Sequence, residues 1–214
     1  MAATELLLYA TPISVYSCKL RIALALKGLE WRELPPPGGY CSAEYKAIVP
    51  QGTVPALRYG DALVVESDTI IEYLDDLGLG IPLVGTDPAS RARNRALSRL
   101  IDLRIEPALR ALFPLVGSGA VVPAAARDTI LRHLETLQKL TGPGPFLSGN
   151  TSGLPDCGLC AVGLVQESLN EALQLGLPDP HCAQAYEALP ALAPHIQTYR
   201  RALQDWVRSK ESPR

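Results

Sequence analysis

Short apolar runs alternate with helix-like segments in the first third of the chain. Strands are predicted over residues 6–9, 30–33, 56–59 and 62–65, and helices over 18–27, 43–48 and 68–77. The first two strands are separated by a helix and should be parallel, whereas Gly60-Asp61 predicts a two-residue turn between antiparallel strands. This order, β-α-β-α-β-β-α, predicts an α/β unit.

The remainder of the chain is predicted to be all-helical. Gly and Pro interrupt the pattern over 78–86, which indicates a linker, so we expect an α/β domain over 1–77 and a helical domain over 87–214. Helices are predicted over 87–112 and 123–140, from about residue 155 and from about residue 191. Pro107 lies inside the first of these, which predicts a kink near Arg104. The third has almost no polar face and should be buried.

Composition and charge narrow the class of protein. The 214 residues carry a formal net charge of −2 with no block of like charge, so we expect neither nucleic acid nor a membrane as partner. Apolar residues make up 47% of the chain, but no run approaches the roughly 18 residues that a membrane span needs. Residues 1–5 lack the basic flank of a signal peptide. We therefore expect a soluble, cytoplasmic protein.

The cysteines and histidines do not predict a metal site. Five cysteines, an odd number, argue against a disulfide framework and fit a reducing compartment. Cys157 and Cys160 have the spacing of a redox or zinc motif, but they open an apolar helix and no second such pair follows. We expect them to be buried structural residues, because cysteine is a common small hydrophobe. The three histidines are scattered, so no metal is predicted.

The candidate chemistry lies where the first strand leads into the first helix, at Ser14-Val15-Tyr16-Ser17. A thiol–disulfide enzyme of thioredoxin type would carry Cys-x-x-Cys at such a turn, and here both sulfur positions are hydroxyls. Redox exchange is thereby excluded at this turn, while a hydroxyl donor remains near a helix N-terminus, where anions are favoured. An enzyme that activates the thiol of another molecule would need this arrangement. We assign Ser17 to capping the helix and Ser14 to the chemistry.

Three segments resemble motifs of the glutathione transferase family, in the order and spacing of that family. The first resembles the serine-type active-site segment of the zeta, phi and tau classes, the second its N-P-x-G-x-V-P-x-L motif, and the third its E-S-x-A-I-x-x-Y-L motif. The segments are 14–24 (SVYSCKLRIAL), 49–57 (VPQGTVPAL) and 65–74 (VESDTIIEYL). The resemblance implies a thioredoxin-like α/β N-terminal domain, an all-α C-terminal domain, glutathione as cosubstrate and a homodimer.

The resemblance also assigns glutathione-binding roles to residues. It implies that Ser14 donates its hydroxyl to the glutathione sulfur and lowers the pKa of the thiol. Val54, before the position of the family's cis-proline, would offer its backbone to the cysteinyl part of glutathione. Glu66 would pair with the γ-glutamyl ammonium and Ser67 would bind the adjoining carboxylate, while Thr53 stands where the family has a residue that reaches the glycyl carboxylate.

The second substrate is expected between the Ser14 turn and the long helix after residue 87. The residues predicted to line this pocket are Ile13, Arg104, Leu109, Arg110 and Phe113. Its two arginines could attract an anionic electrophile, or they could be ordinary solvated surface residues. Both interpretations remain open at this point.

The function that these motifs imply is a glutathione transferase, which attacks a small electrophile by conjugation or dehalogenation. One alternative is a glutathione-dependent cis–trans isomerase of zeta type; zeta isomerases read Ser-Ser-Cys where this chain has Ser14-Val15-Tyr16. A second is a thiol transferase that uses Cys18. A third is a noncatalytic relative that only binds.

Overall fold

The structure is a computed structural model that describes residues 5–211. The predictions made for residues 1–4 and 212–214 lie outside this range. A four-stranded mixed sheet forms the first part of the molecule, in the strand order β2-β1-β3-β4. The strands are β1 (Leu6–Tyr9), β2 (Arg32–Leu34), β3 (Ala56–Tyr59) and β4 (Ala62–Val65).

The strand directions follow the sequence prediction. β1 pairs parallel to β2, with Leu8 opposite Glu33, and antiparallel to β3, with Leu8 opposite Leu57. β3 and β4 pair antiparallel across the predicted turn at Gly60, whose φ of +57° is a conformation that glycine adopts at little cost. The third and fourth strands have the predicted bounds, but β2 starts two residues later than predicted.

Nine α-helices are present among residues 5–211. Those of the sheet-containing part are α1 (Val15–Leu26), α2 (Ala43–Lys46) and α3 (Ser67–Asp76). Those of the helical part are α4 (Pro88–Leu100), α5 (Glu106–Arg110), α6 (Ala124–Leu140), α7 (Leu154–Leu173), α8 (Ala183–Glu187) and α9 (Ala193–Glu211). The predicted fold class, a thioredoxin-like α/β unit followed by an all-helical part, is confirmed.

An irregular turn joins α4 to α5. Residues Ile101–Ile105 form a π-helical turn, in which the Glu106 N–H bonds the carbonyl of Ile101 instead of that of Asp102. Pro107 follows directly and cannot donate a backbone hydrogen bond, which is the kind of position where helices become irregular. The irregularity predicted near Arg104 is therefore present as a π-helical turn.

The hydrophobic core runs continuously through both parts. α7 supplies its centre and packs against α1, α4 and α9. Cys157 and Cys160 are buried in it with the neighbouring apolar residues of α7, as predicted. The core thus fixes the helical part against α1, whose first residues carry the candidate chemistry. Within the described range, no helix combines the length and apolar character required to cross a bilayer.

Candidate functional site

A cleft with a volume of about 950 Å³ lies between the sheet-containing part and the helical part. One wall comes from the start of α1, the loop before β3 and the start of α3. The other wall comes from the face of α4, the π-helical turn and α5, with α9 at one end. The cleft therefore brings together motifs that are far apart in the sequence.

Ser14 is the N-cap of α1, and this corrects the sequence prediction that gave the cap to Ser17. Its backbone is extended (φ −74°, ψ 121°), and its Oγ accepts a hydrogen bond from the N–H of Ser17 at 3.1 Å. The helix begins at Val15, three residues earlier than predicted, which makes the Ser17 N–H the donor that needs a cap. Ser17 itself is buried, and its hydroxyl has no hydrogen-bond partner among residues 5–211.

The cap leaves the Ser14 hydroxyl chemically useful. A serine oxygen can accept from a backbone N–H and still donate its own hydrogen elsewhere. Ser14 lines the cleft and is only partly buried, so a ligand atom in the cleft can reach this hydrogen. Capping and donation to an anion are thus compatible at one residue.

The loop before β3 forms a second part of the cleft wall. Thr53, Val54 and Pro55 line the cleft, and the Val54–Pro55 peptide bond is cis, as in the family motif. The hydroxyl of Tyr45, a buried residue of α2, donates to the Thr53 carbonyl at 2.9 Å and holds the loop from behind. Two sequence-predicted glutathione-binding residues, Thr53 and Val54, are therefore placed beside Ser14 in the same cleft.

Glu66 and Ser67 stand where α3 begins. Glu66 is exposed and has a φ of +68°, a conformation that is uncommon for residues other than glycine and that often marks functional sites. No side chain caps α3, so its first N–H groups are open to the cleft, and Ser67 lines the cleft beside them. A helix N-terminus in this state favours a carboxylate or another anion.

A buried lysine lies behind this wall, and the sequence reasoning missed it. The Lys19 ammonium is 2.6 Å from Asp68 on α3 and 2.6 Å from Asp102 in the π-helical turn, and it donates to Ser98 at 3.1 Å. Burial alone would lower the pKa of Lys19, but the two carboxylates outweigh it and the pKa is raised. Burial raises the pKa of Asp102 more than Lys19 lowers it. The available sequence signal was a lysine in a helix whose residues are mostly apolar.

The helical wall carries only part of the predicted second-substrate pocket. Ile13, Arg110 and Phe113 line the cleft, whereas Arg104 and Leu109 do not. Leu109 is fully buried in the core, and Arg104 is exposed and lies near His133 of α6. The residues that line this wall, Arg99, Asp102, Glu106, Arg110 and Phe113, recur every three or four positions. Arg104 therefore lies on another face of the helix, and Leu109 is turned into the core.

Glu106 lies on the same stripe and lines the cleft, although the sequence reasoning did not identify it. Glu106 is 5% exposed and forms an ion pair with Arg110, whose side chain is 52% exposed. The hydroxyl of Tyr16 lies 3.3 Å from the Glu106 carboxylate and 3.4 Å from the Asp102 carbonyl. Burial, followed by the charge of Glu106, raises the pKa of Tyr16, so this phenol remains a protonated donor at neutral pH.

Aromatic side chains complete this end of the cleft. The rings of Phe113 and Trp206 pack against each other at an angle of 46° with centroids 4.9 Å apart, and Tyr199 lies in the same wall. The cleft lining is not electropositive. It carries five carboxylates and three guanidinium groups, and the Lys19 ammonium, buried behind the wall, adds one more positive charge. No cluster of metal-ligating side chains is present among residues 5–211.

The amino-acid sequence is similar to those of known proteins. The family model for the N-terminal domain of glutathione S-transferase matches residues 8–78. The chain is 40% identical over 106 residues to the maleylacetoacetate isomerase of Pseudomonas aeruginosa, covering 47% of the chain and 50% of that protein. It is 29% identical over 200 residues to the maleylacetoacetate isomerase of Rattus norvegicus, covering 90% of the chain and 91% of that protein. The chain thus spans about half the length of the first of these relatives and nearly all of the second.

Solved structures share the fold. An epsilon-class glutathione S-transferase from the housefly Musca domestica superposes with a TM-score of 0.81 at 19% identity, covering 96% of this chain and 98% of that one. The maleylacetoacetate isomerase of Anaeromyxobacter dehalogenans superposes with a TM-score of 0.66 at 25% identity, covering 91% of this chain and 92% of that one. That structure contains dicarboxyethyl glutathione and citrate in its active site.

Proposed function

Because the chain belongs to the glutathione transferase family, we propose that it binds glutathione in the cleft, activates the thiol and transfers the glutathionyl group to a small electrophile. The observation that carries this proposal is the position of Ser14, whose hydroxyl lines the cleft at the start of α1 while its oxygen accepts from the Ser17 N–H. This arrangement supports a serine-type mechanism of thiol activation.

Ser14 acts by stabilising the thiolate of glutathione. Its hydroxyl donates to the sulfur, and the positive end of the α1 dipole adds to the effect. Both favour the anion, so the pKa of the bound thiol falls and its proton leaves to solvent. The thiolate then attacks the electrophilic carbon, a carbon–sulfur bond forms, and a leaving group such as halide departs with its bonding electrons.

The rest of glutathione is held by the wall opposite the helical part. The Val54 backbone pairs with the cysteinyl segment, as an added strand does. Ser67 and the open N–H groups of α3 bind the γ-glutamyl carboxylate, and Glu66 pairs with the γ-glutamyl ammonium. Thr53 lies at the glycyl end. The placement of all four residues on one cleft with Ser14 supports these roles.

A glutathione-dependent isomerase is the second candidate. The relatives named maleylacetoacetate isomerase favour it, as does the glutathione adduct bound to the isomerase structure of Anaeromyxobacter dehalogenans. Against it stand Tyr16, at the position of the cysteine in zeta isomerases, and the lack of excess positive charge on the cleft lining for a dicarboxylate. A direct assay of purified protein with maleylacetoacetate distinguishes the two.

We also propose a cytoplasmic homodimer, which rests on the family resemblance. Light scattering on the purified protein tests the dimer, since two copies of the 23.0 kDa chain double the measured mass.

Paired serine variants test the thiol-activation step. Ser14→Ala should raise the pKa of bound glutathione, remove the ultraviolet absorbance of its thiolate at neutral pH and lower kcat/KM by roughly a hundredfold. Ser17→Ala is the matched control, because within residues 5–211 the Ser17 hydroxyl has no hydrogen-bond partner, and the substitution keeps the backbone N–H. If Ser14→Ala leaves the thiolate absorbance and the pH–rate profile as they were, Ser14 does not activate the thiol.

A further inference from the structure

Glu106 is a buried carboxylate on the second-substrate side of the cleft that thiol activation does not use. It is 5% exposed, yet it lines the cleft. Arg110, one helical turn further along α5, forms an ion pair with Glu106. The Tyr16 hydroxyl lies 3.3 Å from the Glu106 carboxylate. As the first residue of α5 and the i,i+4 partner of Arg110, Glu106 stabilises that helix. Its position on the cleft lining also brings its charge close to ligands.

The charge of Glu106 changes what Arg110 can do. Arg110 is half exposed and lines the cleft, so alone it would attract the carboxylate of an electrophile. The adjacent Glu106 cancels this charge and already accepts a hydrogen bond from the guanidinium. Two other charged residues line this part of the cleft. Asp102 is paired with Lys19, and Arg99, which has no ion-pair partner among residues 5–211, lies about two helical turns before Glu106.

We propose that Glu106 is a specificity-determining residue that neutralises Arg110, so that the cleft accepts uncharged electrophiles and discriminates against carboxylate-bearing ones. This inference rests on the proposed function, since it concerns the substrate class of the same site. The aromatic wall of Phe113 and Trp206 supplies contacts for an uncharged group, and the Glu106–Arg110 pair supplies no net charge for an anion.

Two glutathione conjugates that differ by one carboxylate on the ring test the inference. S-benzylglutathione and S-(4-carboxybenzyl)glutathione place a neutral or an anionic ring in the second-substrate half, and calorimetry gives their Kd ratio. Glu106→Gln keeps the side-chain shape and its hydrogen-bond acceptor but leaves Arg110 unopposed. In this variant the affinity for the carboxybenzyl conjugate relative to the benzyl conjugate should rise about tenfold. That is the attraction expected between the carboxylate and one uncompensated positive charge at about 6 Å and an effective dielectric constant of about 40.

Control variants separate charge from shape. The double variant Glu106→Gln/Arg110→Met is again neutral and should return the ratio to that of the unaltered protein. Arg110→Met alone leaves Glu106 unopposed and should shift the ratio the other way, which keeps the test valid if Glu106→Gln does not fold. Glu135→Gln removes one exposed carboxylate from α6, outside the cleft, and should leave the ratio unchanged. High salt should reduce every shift that charge causes.

The outcomes separate this inference from the proposed function. An unchanged ratio in Glu106→Gln, or the same shift in the double variant, overturns the role of Glu106. If both conjugates bind but the protein does not accelerate the reaction of glutathione with benzyl chloride, transferase activity fails while the Kd ratios still test Glu106. If neither conjugate binds, both proposals fall.

Discussion

The oxygen of Ser14 accepts the backbone N–H of Ser17 at 3.1 Å, so one hydroxyl both begins α1 and faces the cleft. The two serines of the Ser14–Ser17 turn are therefore unequal in a way that regular helix spacing does not reveal. Ser14 makes the only side-chain cap of α1, and the Ser17 hydroxyl, buried in the core, contacts no partner among residues 5–211.

The two serines should differ in their contribution to stability. Ser14→Ala should lower the free energy of unfolding by about 1 kcal/mol, because the Ser17 N–H loses its cap. Ser17→Ala should leave it unchanged or higher, because a buried hydroxyl without a partner is removed. Urea denaturation of both variants measures the difference. Equal losses would contradict the assignment of the cap to Ser14.

Replacing Lys19 by methionine should destabilise the fold by about 3 kcal/mol or more. The substitution leaves Asp68 and Asp102 close together at the interface without their shared cation. Arg32→Met is the matched control, because the Arg32–Glu5 pair is more than half exposed and such pairs contribute at most about 1 kcal/mol. Thermal denaturation at neutral pH compares them, and a Lys19 variant no weaker than the Arg32 variant would refute the prediction.

Tyr45 should make stability depend on alkaline pH. Burial raises its pKa from 10.0 to about 12, so the folded state keeps the phenol neutral while the unfolded state ionises. Because the folded pKa is the higher one, this contribution is complete below pH 10 and is lost as pH rises toward 12. Tyr45→Phe should cost about 1 kcal/mol at neutral pH, since the Thr53 carbonyl loses its donor.

Urea midpoints of the unaltered protein and of Tyr45→Phe, measured between pH 8 and pH 12, isolate the contribution of Tyr45 to stability. The Tyr45→Phe protein should lose less stability over the interval than the unaltered protein does, because it has one fewer phenol to ionise on unfolding. Parallel curves for the two proteins would show that Tyr45 does not titrate in this way.

The cysteines should differ sharply in reactivity. Cys18 is fully buried, and burial raises its pKa to about 12, so it should resist alkylation in the folded protein. Cys41 is exposed and should be labelled rapidly by iodoacetamide, with mass spectrometry locating the label. The fast label should disappear in Cys41→Ser. Rapid labelling of Cys18 in the folded protein would restore the thiol transferase alternative.

The sheet-containing part was predictable because its signals are local. The β3–β4 hairpin has apolar runs of strand length on either side of Gly60-Asp61, and these alone specify its bounds. The start of α1 was less predictable, since Ser14 and Ser17 are both good capping residues. Which serine caps the helix depends on which backbone N–H groups the folded helix leaves without acceptors. The burial of the Ser17 side chain depends on tertiary packing, which local sequence does not specify.

The helical wall of the cleft was predicted only in part. The pocket was expected anywhere along the stretch from Arg104 to Phe113, but the residues that line it recur every three or four positions. Helical spacing counted back from Phe113 and Arg110 leads to Glu106 and not to Arg104. The bridge from Lys19 to Asp102 was hidden for a different reason, because its partners are 83 residues apart.

The Lys19 bridge also bears on how the cleft meets its ligands. Its ammonium holds α3, which carries Ser67, and the π-helical turn, which precedes Glu106, at fixed separations from α1. A hinge motion that opened or shut the cleft would have to pull the buried Lys19 ammonium away from a carboxylate, which costs free energy. We therefore expect the cleft to keep its shape when substrates enter it.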